Sequence, residues 1–94
     1  MSYSINITFD KEITESELDE VLSGLPEWAS PKWKGGKQFW GWSLASDVWL
    51  SSPRKVVCSG SCSISGNVAE KFSREVAKAL RKTGRKVNKG KMRI

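Results

Sequence analysis

The sequence predicts an α+β fold: a two-layer sandwich in β-α-β-β-β-α order, with a mainly antiparallel sheet and both helices on one of its faces. Three observations predict it. Residues 3 to 9 alternate apolar with polar, residues 13 to 25 and 67 to 84 carry apolar positions at helical spacing, and residues 39 to 64 hold three short alternating runs separated by turn residues. Ninety-four residues suffice for one domain, assigned to 1–84, followed by a basic segment, 85–94, that is a tail or a late edge strand.

The first strand rests on Tyr3, Ile5, Ile7 and Phe9 alternating with Ser4, Asn6, Thr8 and Asp10. The first helix follows from Thr14 as N-cap, Glu17 three residues on as its reciprocal partner, and Ile13 with Leu18 as a hydrophobic staple. Leu18, Val21, Leu22 and Leu25 then supply the buried stripe, and Gly24 with Pro26 ends it. Residues 26 to 37 combine two prolines, a pair of glycines and two tryptophans, which predicts an irregular loop long enough to suggest a function.

After that loop, Phe39 to Leu44 reads as a strand with Trp40, Trp42 and Leu44 on one face. Ala45-Ser46-Asp47 is the expected turn, Val48-Trp49-Leu50 a short strand, and Ser51-Ser52-Pro53-Arg54 a second turn. Trp40, Trp42 and Trp49 are expected to pack in the core or across strands. In the next strand Val56, Cys58, Gly60, Cys62 and Ile64 share the inner face, opposite Val57, Ser59, Ser61 and Ser63, whose side is expected to be solvated. The second helix begins at Asn67 as cap with Glu70 following, and Ala69, Phe72, Val76 and Leu80, extended by Ala77 and Thr83, form its apolar stripe up to Gly84. Asn88 and Gly90 interrupt alternation in the last ten residues and favour the tail.

Composition excludes several function classes. The chain has no histidine, which removes the commonest general base and metal ligand together, so Ser-His and Cys-His chemistry and zinc-finger sites are not available. The serine row of Ser59, Ser61 and Ser63 has only Lys55 as a nearby base, and the carboxylates of the first helix, Glu15, Asp19 and Glu20, fall on its polar face. No phosphate-loop or dinucleotide fingerprint occurs. Cys58 and Cys62, four residues apart along one strand, stand about 13 Å apart, too far for a disulfide. With no secretory signal before the first strand, they are expected as small buried thiols in a reducing cytoplasm. The expectation is a cytoplasmic protein that is not an enzyme, with no cofactor, metal, small-molecule substrate or membrane association.

Charge points instead to binding. The net charge is +6, but residues 1 to 30 hold seven acids and one base, whereas residues 67 to 94 hold ten bases and two acids. Lys71, Arg74, Lys78, Arg81, Lys82, Arg85, Lys86 and Lys89 lead this basic run, and Lys91 and Arg93 complete it. Such a run suits a phosphate backbone. Trp28 and Trp33, interleaved in the loop with Lys32 and Lys34, suit base stacking or an interface anchor. The leading expectation is a basic binding protein that contacts nucleic acid through its C-terminal helix and tail. The alternative is a protein-binding inhibitor of a nucleic-acid-handling host complex, of the counter-defence type that phages and plasmids use, with an acidic or nucleoprotein partner. The oligomeric state does not follow from the sequence.

Overall fold

In the computed structural model, residues 2–25, 38–41, 44–61 and 67–93 are described. The elements are β1 (Ser2–Phe9), α1 (Glu15–Ser23), β2 (Gln38–Gly41), β3 (Leu44–Ser52), β4 (Lys55–Ser61), α2 (Asn67–Arg81) and β5 (Val87–Lys89). They form an α+β fold with an antiparallel sheet in the order β2-β3-β4-β1-β5.

The odd residues of β1 explain why the chain collapses where it does. Tyr3, Ile5, Ile7 and Phe9 are all buried and join one core cluster with Ile13, Leu18, Leu22 and Leu25 from the α1 region, Val48, Val56 and Cys58 from the sheet, and Ala69, Phe72, Val76, Ala77 and Leu80 from α2. The buried stripes of both helices thus join the same core as the odd residues of β1. Thr83 does not belong to that stripe. It is exposed, and its hydroxyl donates to Leu80 O at 2.5 Å beyond the helix end. Ser73 takes a buried place instead, its hydroxyl satisfied by Glu70 O at 2.9 Å, which is the usual way a serine is accommodated inside a helix. Tyr3 and Ser46 close the inner face through a buried hydroxyl-to-hydroxyl bond, with Tyr3 donating.

α1 starts as the sequence dictates. The Thr14 hydroxyl accepts from Glu17 N at 3.1 Å, which caps the helix, and donates to the Glu17 carboxylate at 3.3 Å, a bond between side chains in place of the expected one to the Thr14 backbone N–H. α2 ends at Arg81, and the turn that follows it closes at Gly84, whose φ of 90° lies in the left-handed region that glycine enters without strain.

Three expectations about the strands are corrected. Ala45-Ser46-Asp47 is not a turn: the three lie within the nine-residue β3, and the pairing of Gly41 with Leu44 places the reversal earlier in the chain. Ser51 and Ser52 likewise belong to β3, so the β3–β4 turn is only Pro53-Arg54, next to a register shift between Leu50 and Ser52. Extending β3 also changes the side of Trp49. Ser46 and Val48 are buried, so Trp49 falls on the opposite face and is 41% exposed rather than in the core.

A further correction concerns the C-terminus: of the two expectations for residues 85–94, the favoured tail gives way to the edge strand, β5. Residues 86 to 93 run antiparallel to β1. Asp10 N bonds to Lys86 O at 3.3 Å, Asn88 pairs with Thr8, Gly90 N donates to Asn6 O at 2.7 Å, and Ser4 and Arg93 exchange two bonds of 2.8 Å. The partner numbers step by one residue between Gly90 and Arg93, which is a bulge, and bulged, short edge strands resist pairing with other chains. Glycine suits this position, because a Cβ at residue 90 would lie 3.0 Å from Asn6 O, a tight contact. Alternation fails as a signal for this segment because backbone pairing carries it past Asn88 and Gly90, while of its side chains Val87 and Met92 pack against the core at opposite ends.

Candidate nucleic-acid interface

α2 offers its sequence as two opposed stripes. Ala69, Phe72, Val76 and Leu80 recur at three- and four-residue steps and are buried, so Lys71, Arg74, Lys78 and Lys82, recurring at the same steps on the other side, share one outward stripe and are exposed. At 1.5 Å rise per residue the four span about 16 Å of helix. Of the two acids of α2, Glu75 lies at the same helical angle as the stripe, between Lys71 and Lys78, whereas Glu70 lies to one side. Glu70 is held by Lys89, with Nζ to Oε2 at 2.9 Å, and Glu75 is half-buried. An open cavity of about 440 Å³ lies at the first turns of the helix, lined among the described residues by Val68, Glu70, Lys71 and Arg74.

The remaining basic candidates do not all face outward. Arg85 is the most constrained: its side chain is 9% exposed, and its guanidinium donates to Lys11 O at 3.0 Å, Glu12 O at 2.7 Å, the Thr83 hydroxyl at 2.7 Å and the Glu17 carboxylate at 3.2 Å. Such a fork joins the β1–α1 connection, the α1 cap and the α2–β5 connection, which is a structural task. Lys89 points inward from β5 to Glu70 and to Gly90 O at 3.2 Å, an inward charge on an edge strand. Arg81 is exposed but donates to Val87 O at 3.2 Å across the α2–β5 connection. Lys86 is exposed, while its backbone N–H is held by the Asp10 carboxylate at 2.9 Å. Charge alone suggests Arg85 and Lys89 as binding residues. No sequence signal separates them from their neighbours, since their acidic partners lie 68 and 19 residues away.

Trp28, Lys32, Trp33 and Lys34 lie outside the described residues, as does Cys62. Cys58 is buried and free, and burial pushes its thiol up to about 12. The backbone N–H of Lys86 holds the Asp10 carboxyl below its ordinary value, and hydrogen bonding from Arg85 does the same for Glu17. Among the described residues, no group of three or more His, Cys, Asp or Glu is placed to hold a metal ion, and no helix is long and apolar enough to cross a membrane.

Sequence reasoning missed Trp49 as a surface residue. The signal that finds it is the phase of the whole strand: once Ser46, Val48 and Leu50 are read as one inner row, the tryptophan between them must point out. The chain defines a small α+β protein with one cationic helix face. It matches no protein-family model, no curated protein and no solved structure.

Proposed function

We propose that this is a non-enzymatic protein that contacts the phosphate backbone of nucleic acid through the outer face of α2. The observation that carries this reading is the exposed stripe of Lys71, Arg74, Lys78 and Lys82, beside which Glu70 is held by Lys89 and Glu75 is the one acid at the same helical angle. In a two-layer arrangement with both helices on one face of the sheet, the stripe would face away from the sheet, toward a duplex groove or a strand. Lys86, just beyond the helix, extends the same charge. Contacts of this kind fix position and carry little sequence information.

The mechanism is counterion release. Four phosphate contacts give a slope of log K against log salt of about −3.6, so affinity for a duplex falls by roughly 150-fold between about 50 and 200 mM salt. Anisotropy titration of a labelled duplex at those two salt concentrations tests this. Tight binding that does not weaken with salt removes the electrostatic mechanism. A stoichiometric protein partner retained after nuclease treatment, with no measurable affinity for oligonucleotides, moves the reading to the protein-binding inhibitor.

A further inference from the structure

The sheet face turned away from the core carries the one exposed large apolar side chain among the described residues, Trp49. Register places its surroundings. Trp49 opposes Val57, which opposes Asn6, so the three form one row across β3, β4 and β1. One flanking row holds Asp47 opposite Ser59, and the other holds Lys55 opposite Thr8. Val57 is 8% exposed although it belongs to this outer face, so the ring stands beside a packed floor in a field of hydroxyl and amide groups.

The size of the apolar patch decides what fits it. A stable protein partner needs an apolar centre within a contact of about 1,600 Å², and one ring edged by serine, threonine and asparagine does not provide such a centre. A single unpaired base needs only a ring face, with polar groups at its edge. Charge gives the direction. Lys55 lies on the adjacent strand diagonally from Trp49, at roughly 7 Å between Cβ atoms, and Arg54 continues the positive side in the turn, whereas Asp47 marks the opposite side. A phosphate next to a base stacked on Trp49 is drawn toward Lys55 and Arg54 and away from Asp47.

We infer that this sheet face is a stacking platform for single-stranded nucleic acid, with Trp49 holding an unpaired base and Lys55 and Arg54 its phosphates. The inference rests on the reading that the partner is nucleic acid, and adds to it a second surface and a preference for unpaired bases. In a duplex the base faces are already stacked and closed to the ring, so only the α2 stripe acts there.

The test is anisotropy titration of labelled oligothymidylate and of a labelled duplex against the full chain and its Trp49→Ala, Trp49→Phe and Lys78→Glu variants, with circular dichroism confirming that each folds. Trp49→Ala is expected to weaken oligothymidylate binding by about fivefold to 150-fold, the range one base stacked on one ring supplies, and to leave duplex binding unchanged. Trp49→Phe retains a ring and most of the affinity, and also serves if the alanine variant fails to fold. Lys78→Glu weakens duplex binding. Wild-type protein that binds the duplex but shows no effect of either Trp49 variant on oligothymidylate overturns this inference alone. Wild-type protein that binds neither oligonucleotide overturns the proposed function and this inference with it.

Discussion

Removing the Arg85 guanidinium should unfasten the C-terminal strand from the rest of the protein. Its donors serve four acceptors: two main-chain carbonyls in the β1–α1 connection, the Thr83 hydroxyl and the Glu17 carboxylate. Hydrogen bonds to a charged group contribute about 1.5–3 kcal/mol each, but they are not additive. Lys11 and Glu12 are exposed, so their carbonyls regain water once the guanidinium is gone. The net loss for Arg85→Ala is therefore about 2–3 kcal/mol, and for a domain of this size that lowers Tm by roughly 10–20 °C. Urea unfolding at neutral pH, followed by circular dichroism, measures it, with the midpoint falling and the slope unchanged. Arg85→Lys keeps the charge but not the fork, and should recover less than half of the loss. An alanine variant within about 0.5 kcal/mol of wild type, the range of ordinary surface substitutions, refutes the structural role.

Three further outcomes follow from the same contacts. Asp10 and Glu17 both pin residues 85 and 86, and both carboxyls are held below their ordinary values. Their stabilisation is complete above the unfolded carboxylate range near pH 4 and disappears as pH falls through the lower folded values, so amide exchange at Asn88 and Gly90 should accelerate on acidification below about pH 4 before that of Ile5. Equal acceleration at all three amides counts against the pin. Cys58, buried with its thiol pushed up to about 12, should resist thiol reagents at neutral pH in a Cys62→Ser background until the protein is unfolded, as a colorimetric thiol assay shows. Gly90→Ala forces a methyl group to within 3.0 Å of Asn6 O and should destabilise by about 1–3 kcal/mol in chemical denaturation, whereas Gly84→Ala is strained by its φ of 90° alone.

Local chemistry was legible where a few neighbouring residues decide it. The Thr14 cap, the odd face of β1 and the buried stripe of α2 are each fixed by spacing within one element, and each stands as the spacing predicts. The β2–β3 reversal was misplaced because Ala45-Ser46-Asp47 has turn-forming composition, yet Ser46 is held inside the sheet by its hydroxyl bond with Tyr3 of β1. Tertiary contact overrode local preference there. The same holds for the basic run. Composition gives the charge of Arg85 and Lys89 but not their direction, which depends on Glu17 and Glu70 on other elements. The basic run by itself did not single out Lys71, Arg74, Lys78 and Lys82; helical spacing does so once the buried stripe fixes the phase of α2.

The most direct test of the central claim separates a local footprint from net charge. Lys78→Glu and Lys11→Glu change the charge of the protein equally, and both positions are exposed, but only Lys78 lies on the α2 stripe. Duplex affinity is measured for each by anisotropy across a salt series. Lys78→Glu is expected to weaken binding and to lower the magnitude of the salt slope by about 1, while Lys11→Glu leaves the slope as in wild type. Equal effects from the two variants, or none from Lys78→Glu, contradict the claim.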